Sequence, residues 1–323
     1  ADLEGKGVFP ESHPLCLGVF GVGARGPAAA YLEQGVDLLV TLGARLDDTT
    51  TVGFSPVFER AGELVQLDHS PARLGRAFVP AVAMACDLPR ALERIVSALP
   101  VLEPELRGLR RSAVSVLEER LGGRGDLAGE TGPPLDPRAA TAALRRAFGP
   151  RAVFTADIGN HMLFAAQTLE IDHPEQLYVA TGLGAMCSGI GAAIGMQLAW
   201  GGERQVISIC GDGGLLMGGN EIATCSRYGI PLVVAVFNDG RLGMVAHGCQ
   251  TVYGRTPDNR TAPIDVAAYA GSLGATATRV ESLASLDAIA ARPRGNRPLV
   301  LDIPVDPDLR PSNPRTATLN FTG

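Results

Sequence analysis

The chain has 323 residues, 46% apolar and 19% charged, with a formal net charge of −6. That length suits two ordinary domains with a large core. The acidic balance, with no basic stripe, excludes nucleic acid as the main partner.

From the amino end, short β-like runs alternate with helical ones. "VDLLVTLGA" (36–44) and "GELVQLDHS" (62–70) read as buried strands, and "RALERIVSAL" (90–99) has helical spacing. Residues 1–100 are expected to form one unit, and 101–135 a charged amphipathic helix with a Gly/Pro-rich linker. The pattern restarts over 136–305: a helix at 138–147, the strand "AVFTADIG" (152–159), a Gly-rich segment, and a strand ending at "GDG" (211–213). A helix is expected from about Gly219 to Arg227, then a strand from Pro231 to Phe237. Helical segments near 265–272 and 281–291 lead to the strand "PLVLDIPVD", and 306–323 is an irregular tail. Strands alternating with helices predict an α/β fold with two doubly wound parallel-sheet domains.

Leu177 to Trp200 carries no charge and is long enough to span a bilayer. Its glycines cluster in the first half, a poor helix, so a Gly-rich turn followed by a buried helix from about Ser188 is expected instead of a membrane span. The six cysteines form no CxxC pair, which points to reduced thiols in a cytoplasmic protein.

Asp212 and Asp239 stand 27 residues apart, at the carboxyl ends of two strands joined by a helix. A strand–helix–strand unit makes those strands parallel and puts both carboxylates at one sheet edge, where open α/β sheets bind ligands. Asp-Gly is also ordinary turn chemistry. The pair at equivalent strand ends favours a site instead. Gly213 and Gly214 allow close backbone approach, and amides entering the next helix can face an anion. Two carboxylates beside an anion need a hard cation between them, which suggests Mg²⁺ or Ca²⁺ and a phosphate-bearing ligand.

These residues carry a resemblance. "GDG" followed by the "NDG" turn, together with "GKGVFPESHPLCLGVFG", "DLLVTLGARLDD", "TGLGAMCSGIGAAIG" and "NDGRLGMV", resembles the thiamine-diphosphate-dependent enzymes, closest to the acetolactate synthase large subunits. The resemblance implies an incomplete central Rossmann-like domain followed by a thiamine-diphosphate-binding domain. It implies Mg²⁺ on Asp212, Asp239 and the backbone oxygen of Arg241, with Asp239 standing where the family usually has Asn. Asn160, His161, Gly213 and Gly214 would meet the diphosphate. The Gly184 carbonyl would accept from the cofactor's amino group, Met186 would bend the cofactor, and Gly211 and Met244 would complete the pocket.

The resemblance also implies what must come from elsewhere. The family's activating glutamate lies on an amino-terminal pyrimidine-binding domain, so a second polypeptide or a removed portion is expected to supply it, within a homo- or hetero-oligomer. Thr49 and Gly248 stand where the acetolactate synthases have Arg and Trp. A carboxylate clamp is thereby lost and one wall of the substrate site emptied, which suggests a 2-keto acid or acceptor bulkier than a pair of pyruvates. FAD contacts would fall on "FGVGARG" (20–26), Asp68 and "ACDL" (85–88). A flavin-containing, pyruvate-oxidase-like oxidoreductase and a non-catalytic cofactor-binding regulatory module are the alternatives. "GVGARG" does not satisfy the dinucleotide fingerprint of an NAD dehydrogenase.

Overall fold

Runs of aliphatic and β-branched residues pair into two sheets in the computed structural model, which describes residues 1–24, 26–101, 108, 111–117, 132–292 and 295–312. The first sheet has three parallel strands in the order β1 (Leu38–Leu42), β2 (Glu63–Asp68), β3 (Val82–Ala85). Helix α1 (Gly26–Glu33) precedes it and α2 (Leu88–Ala98) follows. Leu46, Val57, Phe58, Leu64 and Phe78 form its core.

The second sheet has six strands: β4 (Val153–Ala156), β5 (Leu177–Val179), β6 (Val206–Gly211), β7 (Val233–Asn238), β8 (Thr276–Arg279) and β9 (Leu299–Pro304). Their spatial order is β5-β4-β6-β7-β9-β8, and every pairing is parallel. The chain is therefore α/β with two parallel-sheet domains, as the alternation of strands and helices predicts.

Helices cover both faces of the second sheet. Ile207, Ile209, Val233 and Ala235 pack with α3 (Pro137–Phe148), α4 (Asn160–Thr168) and α10 (Leu283–Ala290). The alternate residues Val206, Cys210, Val234 and Val236 pack with α5 (Ser188–Ala199), α6 (Asp212–Gly218), α7 (Ile222–Tyr228) and α9 (Val266–Ser272). Side chains that alternate along a strand, with both sets apolar, demand this two-sided cover.

Several elements depart from the sequence expectation. The helix expected from Gly219 begins at Asp212: α6 runs into a 3₁₀ turn (Gly219–Glu221) and then α7. The adjoining glycines hide this start from a propensity reading. An acidic first residue is favourable at a helix N-terminus. Strands β3, β5 and β8 are too short to announce themselves, while α1, α4 and α8 (Gly243–Tyr253) lack a clear apolar period. The uncharged segment 177–200 becomes β5, a Gly-rich turn and the twelve-residue α5. Among the described residues no helix is long and apolar enough to cross a membrane. Residues 111–117 of the amphipathic stretch are helical, whereas most of the expected linker and residues 313–323 of the tail lie outside the described residues.

The amino-terminal segment is bound to the second domain. Leu3 and Val19 join its core. The Glu11 carboxylate accepts from the Ile171 amide at 2.9 Å and pairs with Lys6 Nζ at 2.6 Å, with both side chains almost fully buried. Losing the Glu11 carboxylate takes away both a buried charge partner of Lys6 and the acceptor of the Ile171 amide. Glu11→Ala is expected to lower stability by about 3–5 kcal/mol, read as a fall in the urea midpoint at unchanged m-value.

Candidate cofactor site

Between β4 and β6 the strand order of the second sheet reverses: β4 connects outward to β5, and β6 begins the run to the other side. Ligands of open α/β sheets sit at such a switch point, beyond the carboxyl ends of the strands. The loops leaving β4, β6 and β7 converge there on a cavity of about 280 Å³. Asn160, His161, Gly184, Met186, Gly211, Asp212, Gly213, Gly214, Asp239, Arg241 and Met244 all line it. Phe164, Leu242, Val245 and Leu309 give it apolar walls.

Beyond β4, Asp157 is fully buried. Its Oδ2 accepts from the Cys187 amide at 2.8 Å and its Oδ1 from the Gly189 amide at 3.2 Å, so it holds the start of α5. Gly159 follows, and a Cβ there would meet the His161 ring at 2.4 Å. His161 is buried with no partner for Nε2. Burial lowers its pKa to about 4, against the nearby charge of Asp157, so the ring is neutral at physiological pH.

Beyond β6, Asp212 opens α6. Its Oδ2 accepts a short hydrogen bond from the Thr261 hydroxyl, while Oδ1 is buried without a partner. Glycines 213 and 214 are needed by their surroundings. A Cβ on Gly213 would come within 2.6 Å of Leu242 and 3.4 Å of Met186, and one on Gly214 within 2.4 Å of Asp157 Oδ2.

Beyond β7, Asp239 faces Asp212. Burial, then the charge of Asp212, pushes its pKa up to about 7. Burial raises Asp212 as well, opposed by the Thr261 hydroxyl. A Cβ on Gly243 would lie 2.5 Å from Asp239 Oδ2 and 2.8 Å from Asn160 Nδ2, so only glycine allows these side chains to meet here. The Arg241 carbonyl accepts from the Gly243 amide at 3.0 Å and keeps a second lone pair.

Sequence reasoning missed three contributors: Asp157, Thr261 and His247. The ring of His247 lies between Asn160 Nδ2 (3.1 Å from Nδ1) and Arg241 Nη2 (3.4 Å from Nε2). Burial lowers its pKa, with Arg310 and Arg241 adding to the effect. The available signal was its place one helical turn after Gly243. None of the described residues matched to flavin contacts lines this cavity; Asp68 ends β2, and residues 85–88 join β3 to α2.

The profile of the thiamine pyrophosphate enzyme C-terminal TPP-binding domain matches residues 157–303, and that of the thiamine pyrophosphate enzyme central domain matches residues 1–95. The chain belongs to the thiamine pyrophosphate enzyme family and carries those two domains. It is similar to the acetolactate synthase large subunit of Corynebacterium glutamicum, 30% identical over 324 residues, covering 95% of this chain and 50% of the relative. The Parasynechococcus marenigrum acetolactate synthase large subunit is 31% identical over 312 residues, covering 94% of this chain and 49% of the relative. The acetolactate synthase isozyme 1 large subunit of Escherichia coli is 31% identical over 252 residues, covering 78% and 43%. The chain spans about half the length of these curated relatives.

The carboxylate pair has a measurable signature. A carboxyl whose folded pKa is raised binds its proton more tightly when folded, so its contribution to stability is present at low pH and lost as pH rises through the folded value. Between about pH 4, the unfolded value, and about 7, the folded value of Asp239, the chain without divalent cation should lose stability at this site. Denaturant melts across that window should show wild type losing stability relative to Asp239→Asn as pH rises. Parallel curves would show that Asp239 does not titrate in this way.

Proposed function

We propose that this chain forms the diphosphate- and magnesium-holding half of a thiamine-diphosphate-dependent carboligase or decarboxylase acting on a 2-keto acid. The observation that carries the reading is the meeting of Asp212 and Asp239, one oxygen buried without a partner, inside a cavity flanked by glycine backbone. Two carboxylates and a carbonyl are hard oxygen donors, the set that Mg²⁺ takes together with phosphate oxygens.

In this reading Asp212, Asp239 and the Arg241 carbonyl hold the cation. Asn160, His161 and the backbone at Gly213 and Gly214 hold the diphosphate. The Gly184 carbonyl and Met186 meet the pyrimidine end, with Gly211 and Met244 completing the wall. When bound, thiamine diphosphate supplies the nucleophilic carbon and electron sink for making or breaking a carbon–carbon bond next to a keto group. The protein's own part is to position the reactants and exclude water, for which Phe164, Leu242 and Leu309 provide apolar surface.

Among the described residues no glutamate lines the cavity, and Glu221 is exposed beyond α6, accepting from Thr224 at 3.2 Å. The activating glutamate then comes from another polypeptide or from another part of a longer chain, and the complete site lies at an interface. A Cβ on Gly248 would meet nothing within 4 Å. Gly248 and Thr49 are not among the residues lining the cavity; on the resemblance they stand where a wall and a clamp would be, and this reading takes a bulkier keto acid or acceptor as the substrate.

Calorimetric titration tests this. Thiamine diphosphate should bind only with Mg²⁺ present. Asp212→Ala should weaken uptake by about 100-fold or more, beyond the usual penalty for losing an outer-shell partner. Turnover of 2-keto acids should require a glutamate-bearing polypeptide. Binding that ignores Mg²⁺, or robust turnover by this chain alone, contradicts the reading.

A further inference from the structure

The ring of His247 faces two groups that both stand as donors. Asn160 Nδ2 lies 3.1 Å from Nδ1, and Arg241 Nη2 lies 3.4 Å from Nε2. A neutral imidazole has a single acceptor nitrogen, and a guanidinium can only donate. Arg241 therefore requires Nε2 to be the bare nitrogen, which leaves the hydrogen on Nδ1. The Pro307 carbonyl also lies beside the ring, but an Nε2–H would set two donors face to face at the 3.4 Å contact with Arg241. The oxygen and nitrogen of a carboxamide occupy interchangeable positions, so Nδ1–H finds its acceptor when Asn160 presents Oδ1.

This arrangement frees the amino group of Asn160 from His247. Asn160 lines the cavity at the start of α4, beside the two carboxylates. We propose that His247 is a positioning residue: it turns the Asn160 carboxamide so that its N–H donors serve an anionic ligand in the cavity. It also ties the β4 loop to the β7 loop through Arg241, whose own Nη2 reaches Asp308 at 3.4 Å. The inference rests on the cofactor reading for the identity of the anion, a diphosphate, and on hydrogen-bond geometry for the rest.

Two measurements on the full chain test it. In ¹⁵N-histidine spectra the resonance lost in His247→Gln should show the Nδ1–H tautomer; an Nε2–H tautomer overturns the proposal. In titrations with thiamine diphosphate and Mg²⁺, His247→Ala should weaken binding by roughly tenfold. His247→Gln, which can donate and accept at once, should recover to within about threefold. In an Asn160→Ala background, removing His247 should have almost no further effect, because a positioning residue acts through the group it positions. A full, additive loss in that background overturns the proposal, as does equal loss in the Gln and Ala variants. A wild-type chain that takes up no thiamine diphosphate overturns the cofactor reading and this inference together. Binding that is indifferent to His247 overturns this inference alone.

Discussion

Gly211 stands opposite Phe237 in the parallel ladder of β6 and β7, so the residues that follow each strand emerge at one sheet edge. Asp212 and Asp239 are among them, and neither is free to move away. A one-residue slip of β6 would turn Ile207 and Ile209 out of one core and Val206 and Cys210 out of the other. The apolar pattern of the strands thus enforces an unfavourable encounter between carboxylates. Its cost is visible in the raised pKa of Asp239 and in the unpartnered oxygen of Asp212. A large two-faced core can carry a local penalty of this kind, because the penalty is small beside the burial that holds the strands in register.

The glycines around the pair follow from the same crowding. Asp157, Leu242, Asn160 and Asp239 each lie within 3 Å of where a Cβ on Gly213, Gly214 or Gly243 would stand, a distance no Cβ tolerates. Replacing those glycines would push apart the loops that leave β4, β6 and β7. Backbone amides at Gly213 and Gly214 are left bare of side chains, which is what an anion needs for close approach. In the proposed reading, the carboxylates and the bare amides of this cavity serve two halves of one ligand, a cation and the anion it bridges.

Much of this was legible from residue order. The apolar runs at 206–210 and 233–237 and the 27-residue spacing of Asp212 and Asp239 suffice to place both carboxylates at one edge, because a strand–helix–strand unit has one hand and one polarity. What stayed hidden depends on partners distant in sequence. Asp157 looks like an ordinary residue after a strand until the Cys187 and Gly189 amides arrive to meet it. Thr261 lies 49 positions from the carboxylate it donates to. His247 sits in a helix whose Gly243 and Gly248 conceal its existence. The start of α6 at Asp212 was misplaced for the same reason: helix propensity disfavours Gly213 and Gly214, and tertiary packing overrules it.

The unsatisfied groups at this edge point in one direction. Asp212 Oδ1, His161 Nε2 and Arg241 Nε are all buried without a hydrogen-bond partner, in a protein where buried polar atoms are normally paired. An acceptor oxygen, an imidazole nitrogen and a guanidinium N–H cannot satisfy one another from their separate loops. Asp212 and His161 are held by the helices that start beside them, and Arg241 by the loop leaving β7. The ligand proposed for this site, a cation for the carboxylates with anionic oxygens for the donors, would relieve several of them at once. A ligand that binds the folded chain and not the unfolded one would turn that relief into added stability on loading.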